Sequence, residues 1–68
     1  MNKEEVSNLS DDLFAYTITG WVTPESISKA TGASVGEIIL LQSESTSPDL
    51  KRAYGVVRAY MDDIMEES

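Results

Sequence analysis

Asp11-Asp12, Asp62-Asp63 and Glu66-Glu67 are the side chains with which this chain could share a proton or hold a cation. A general acid–base pair needs two carboxyl groups aimed at one point, whereas neighbours on a helix diverge by about 100°. The three pairs therefore read as solvated faces and not as a catalytic dyad. No calcium-loop spacing is present, so a metal would have to be gathered from scattered carboxylates. The sequence has no cysteine and no histidine, which removes disulfide staples, thiolate and imidazole metal ligands, and the usual nucleophile–base pairs. Binding rather than catalysis is expected, with no cofactor and no metal.

Gly32 and Gly36 have the look of a phosphate loop, but no strand precedes them and no lysine follows. What remains is a helix start at Ala33-Ser34, whose free amides could hold an anion. Lys51, Arg52 and Arg58, interleaved with Tyr54 and Tyr60, form the basic cluster of the sequence. On a helical wheel Arg52 lies about 100° or more from the other two, so the patch is weak. Trp21, beside Gly20, reads as a core plug at a helix junction rather than a binding platform.

Five basic residues stand against twelve acids, a formal charge of −7. That average disfavours phosphate binding, although the local field at a docking face is what decides. Sixty-eight residues make a single domain, residues 1–68, with a core near the lower limit for independent folding. Packing, and self-association beyond it, must supply the stability. The longest apolar run, Ile38-Ile39-Leu40-Leu41, is far short of the roughly 20 residues of a membrane span, and MNKEEVSNLSDD lacks the apolar stretch of a signal peptide. A cytoplasmic protein without a membrane partner is the expectation.

The elements that would position these residues are helices. Asn2 and Glu5 have capping-box spacing, and Val6, Leu9, Leu13 and Tyr16 recur at three and four residues, which predicts a helix from about Lys3 to Thr17. The β-branched Thr17, Ile18 and Thr19 and then Gly20 should end it. A strand through Phe14, Tyr16 and Ile18 is the competing reading, but it would find no partner strand. Thr23-Pro24-Glu25 and Ser47-Pro48-Asp49 each place a hydroxyl at the N-cap, proline at the first helical position and an acid in the first turn. A polar loop, Ser43 to Ser47, precedes the second of these starts. In the last segment Leu50, Ala53, Tyr54, Val57, Tyr60, Met61, Ile64 and Met65 fall on one arc, with Lys51, Arg58, Asp62 and Glu66 opposite. Its terminal acids oppose the helix dipole, so that end should fray, and packing must supply what holds it.

Between the two starts runs TPESISKATGASVGEIILLQ. Ser28 supplies a small residue where two helices cross, Gly32 a residue able to take positive φ, and Ile27, Val35 or Ala33, Ile38 and Leu41 the core positions. In this spacing the chain resembles helix-turn-helix proteins of the phage repressor and Cro type. More loosely it is similar to a group of very small bacterial helix-turn-helix proteins, in which such a stretch is followed by a proline-acid helix start and one long terminal helix, as in SPDLKRAYGVVRAYMDDIMEES. The resemblance spans about Trp21 to Met65, and Thr31 departs from it, standing where the pattern has an apolar or small nonpolar residue. It implies an all-α domain of four helices with the helix-turn-helix at its centre.

The resemblance further implies a DNA-binding regulator in which Ala33 to Ser43 is the recognition helix. Ser34, Val35, Gly36, Ile39, Leu40 and Ser43 would then face the groove, and Lys29, Lys51 and Arg52 would steady phosphates. Direct readout relies on Arg, Lys, Asn or Gln at base edges, and this helix holds Ser34, Gln42 and Ser43 as donors but no cation. Ile39 and Leu40 instead make it apolar around most of its circumference. Either the terminal helix folds over them, or they meet a protein partner or a second copy. The alternative function is therefore an acidic protein-interaction module on the same fold, using Glu37, Ile39, Leu40, Glu44 and Tyr60.

Overall fold

In the computed structural model, which describes residues 1–67, the chain forms four α-helices: α1 (Lys3–Ile18), α2 (Pro24–Thr31), α3 (Val35–Gln42) and α4 (Lys51–Glu67). A single 3₁₀ turn, Pro48–Leu50, leads into α4, and there is no strand among the described residues. The domain is all-α, as the periodicity predicts, and α1 runs helically through Phe14, Tyr16 and Ile18, where a strand was the competing reading.

Three of these helices open with a reciprocal capping box, which satisfies backbone amides that a helix start would otherwise leave unpaired. In α1 the Glu5 amide donates to Asn2 Oδ1 at 2.8 Å and the Asn2 amide to Glu5 Oε1 at 3.0 Å. In α2 the Ser26 amide donates to Thr23 Oγ1 at 3.0 Å, and the Thr23 amide to Ser26 Oγ at 2.9 Å. The third box, Ser34 with Glu37, is of the serine-x-x-glutamate type.

Ser47 departs from the expected cap. Its hydroxyl takes no amide of the helix. Instead the Leu50 amide reaches the Ser47 carbonyl at 3.0 Å, because the chain tightens into the 3₁₀ turn to bring Leu50 into the core. At its far end α4 continues through Glu67, past the acids where the dipole predicts fraying. Met61 is buried there, and Ile64 and Met65 pack against the core, so packing outweighs the dipole.

The core gathers one stripe from each helix: Leu9 and Leu13 from α1, Ile27 from α2, Ile38 and Leu41 from α3, and Ala53, Val57 and Met61 from α4. Two polar ties reinforce it. The Ser10 hydroxyl donates to the Gln42 carbonyl at 2.6 Å, pinning the end of α3 to the middle of α1. Arg58 Nη2 meets Asp12 Oδ2 at 2.8 Å and Asp62 Oδ1 at 2.7 Å, joining α4 to α1. Arg58 is thus a partly buried bridge and not the solvated residue expected opposite the apolar arc.

The α2–α3 connection turns at Gly32, which sits at φ 82° and donates to the Ser28 carbonyl at 2.8 Å. Thr31, the residue that departs from the pattern, has a local use. Its hydroxyl donates to the Ile27 carbonyl at 2.7 Å and accepts from the Ala33 amide at 3.2 Å. A polar side chain therefore bridges the turn where an apolar one would leave that amide without this partner.

Candidate binding surfaces

The helix start that could have held an anion is already occupied. The Ser34 amide donates to Glu37 Oε1 at 2.9 Å, the Glu37 amide to Ser34 Oγ at 3.1 Å, and the Ala33 amide to Thr31. Hydrogen bonds from the backbone and then the hydroxyl of Ser34 hold the Glu37 carboxyl below its ordinary value, with Arg52 adding to the effect and partial desolvation opposing it. A fixed negative charge stands where a phosphate would approach. Of the donors expected at this end, Ser34 is spent on the cap. Ser43, at the other end, is the C-cap of α3, its amide held by the Ile39 and Leu40 carbonyls.

Further along α3 the face is apolar. Ile38 and Leu41 are fully buried, Val35 is half-buried, Gly36 is exposed, and Ile39 and Leu40 are each 49% exposed. The terminal helix does not close over Ile39 and Leu40, so the reading in which the monomer core absorbs them is corrected. Glu44, just past the helix, is exposed on the same end.

The cations do not converge on this face. Lys29 lies exposed in the last turn of α2, where it complements that helix's own dipole. Arg52 lines a small cleft of about 50 Å³ with Gly32, Ala33, Glu37 and Val56, a cleft that neither Lys29 nor Lys51 borders. Arg52 therefore sits beside the acid that offsets its field. With Arg58 committed to Asp12 and Asp62, the basic cluster of the sequence is dispersed.

Tyr60 separates from the other residues expected on an interaction surface. It lines a second groove of about 360 Å³ with Tyr16, Trp21, Val22, Ile64 and Glu67, between the end of α1 and the end of α4. Trp21 does not plug the core, being 74% exposed; its neighbour Val22 is the buried residue. The reason lies in how α1 ends. Gly20, at φ 79°, donates to the Thr17 carbonyl at 3.1 Å and Trp21 to the Tyr16 carbonyl at 3.0 Å, the two bonds of a Schellman closure. That motif pairs the residue after the glycine with one a turn back, here Trp21 with Tyr16, at the helix surface. Gly20-Trp21 carried the signal in the sequence, but the pairing it specifies is a surface one. The neighbouring Thr17 Oγ1 is buried without a hydrogen-bond partner, for which the structure offers no compensation.

No helix among the described residues is long and apolar enough to cross a membrane. Compared with protein-family models, with curated proteins and with solved structures, the chain matches none.

Proposed function

We propose that this chain is a small regulatory domain of the helix-turn-helix type that acts by binding, and that its α3 meets a protein rather than a DNA groove. The observation that carries this reading is the outward face of α3. Ile39 and Leu40 are half exposed beside an ionised Glu37, and the helix has no cation. A groove-reading helix needs donors for base edges and phosphates; an interface centre is depleted of charge and rich in apolar surface. Glu37 and Glu44 would form its acidic rim.

A second reading, a DNA-binding regulator, draws on the α2–Gly32–α3 turn and on Arg52 beside the start of α3. Fluorescence anisotropy of a labelled random-sequence duplex at low and moderate salt separates the two. Non-specific DNA binders show dissociation constants of about 10⁻⁴ to 10⁻⁶ M that weaken steeply with salt. The chain is expected to show no such binding, and Leu40→Lys, at an exposed site that leaves the fold intact, to gain none. Salt-sensitive binding by the chain, strengthened in Leu40→Lys, would return α3 to DNA.

A further inference from the structure

The groove between the ends of α1 and α4 shares no lining residue with the outward face of α3, and its chemistry is different. Tyr16, Trp21 and Tyr60 supply three aromatic rings, Val22 and Ile64 an aliphatic floor, and Glu67 a carboxylate. At about 360 Å³ it falls within the roughly 300–1,000 Å³ range of ligand clefts. Ile18, at 66%, and Trp21, at 74%, are more exposed than any other large apolar side chain described.

Two independent features give this groove a sign. Tyr16 lies in the last turn of α1 and Ile64 and Glu67 in the last turns of α4, so both helices bring their negative ends to it, and neither has a basic residue in its last turn. Asp63, Glu66 and Glu67 add side-chain charge along the same end of α4, whereas Asp62 already meets Arg58. Aromatic faces attract cations as well, through their quadrupole. A second copy of the chain would bring the same net charge of −7 to the contact and is disfavoured as the occupant.

We propose that this groove docks a basic, amphipathic segment of a protein partner. Its apolar side chains would lie on Tyr16, Trp21 and Ile64, and a lysine or arginine would cross the aromatic rings to reach Glu67. The proposal stands apart from the reading of α3, because none of its residues lies on that face.

Trp21 is the single tryptophan of the chain and reports directly from the groove. A short amphipathic peptide of leucine and lysine, titrated into the full chain, should shift Trp21 emission to the blue, saturably and less strongly as salt rises. Its leucine–glutamate counterpart should leave the emission unchanged. Ile64→Ser should weaken the lysine peptide about tenfold, and Glu67→Gln, at an exposed site where folding is not at stake, several-fold. Leu40→Ser on α3 should leave the affinity as it was. The proposal is overturned by no shift with the lysine peptide, by an equal shift with the glutamate peptide, or by affinities indifferent to Glu67→Gln. It is also overturned if Trp21 emission in the chain alone turns blue with rising protein concentration alongside a doubling of mass in sedimentation, since a second copy would then fill the groove.

Discussion

The end of α1 and the end of α3 are closed by the same two backbone hydrogen bonds. At α1 the Gly20 amide reaches Thr17 and the Trp21 amide Tyr16; at α3 the Glu44 amide reaches Leu41 and the Ser45 amide Leu40. Each closure turns on a residue at positive φ, Gly20 at 79° and Glu44 at 64°. The two ends differ in the residue that succeeds the turn. After Gly20 comes Trp21, which shares a groove with Tyr16; after Glu44 comes Ser45, which gives Leu40 no apolar partner. One backbone device thus makes an aromatic groove at one end and a bare aliphatic patch at the other, and the residue just beyond the turn decides which. The two surfaces differ in ligand chemistry for the same reason, aromatic rings at one and aliphatic groups at the other, each beside carboxylates.

The largest effect should come from breaking the closure that uses glycine. A Cβ at Gly20 would meet nothing within 4 Å, so Gly20→Ala tests the backbone conformation alone. The left-handed region costs a residue with a Cβ about 1–2 kcal/mol, and a domain this small should lose roughly 4–8 °C of melting temperature per kcal/mol. If the closure gives way, Trp21 also leaves Tyr16, and its emission changes in the native baseline before unfolding. A variant that melts with the parent would mean that Gly20 reaches positive φ without helping to hold the turn.

The reverse change sharpens the comparison at α3. Glu44 already bears the cost of positive φ, so Glu44→Gly should stabilise the domain. The gain is smaller than the Gly20→Ala loss, about 0.5–1 kcal/mol, because glycine gains conformational freedom in the unfolded chain. Thermal melts of the two variants in one buffer should therefore move in opposite directions. Destabilisation by Glu44→Gly would mean that the glutamate side chain makes a stabilising contact at that position.

The legible parts of this fold are those whose signal is local. Asn2 with Glu5, and Thr23 with Pro24 and Glu25, announce helix starts within four residues, and the arc of Ala53, Val57 and Met61 marks the buried side of α4. Gly32 in the turn was legible because few other residues take positive φ freely. Glu44 was not, since nothing in its type announces that conformation. Ser47 misleads for a related reason: a hydroxyl before proline marks a helix start, but the demand of Leu50 for the core tightens the turn and leaves that hydroxyl out of the cap. Of the candidate site residues, α3 supplies Ile39, Leu40 and Glu37 as a surface. Among the basic residues, Arg58 leaves the cluster it forms in the sequence because it finds Asp12 across 46 residues of chain, a pairing invisible to any wheel.

The smallest effect concerns the opposite end of α3, where the charge of its outward face is set. Glu37 closes the capping box as a carboxylate, and its hydrogen bonds to Ser34 hold its pKa below the ordinary 4.5. A folded-state pKa depressed in this way contributes stability that is present above the ordinary value and is lost as the pH falls through the folded one. Glutamine can still accept from the Ser34 amide, so Glu37→Gln removes the charge and keeps the geometry of the box. Melting temperatures of the parent and of Glu37→Gln should differ most near neutral pH, with the parent higher. They should converge as the pH falls through 4.5 and below, where the parent carboxyl takes up its proton. A gap that stays constant through that window would mean that the box works by hydrogen bonding alone. The acid beside Ile39 and Leu40 would then matter to whatever α3 meets, and not to the helix that displays it.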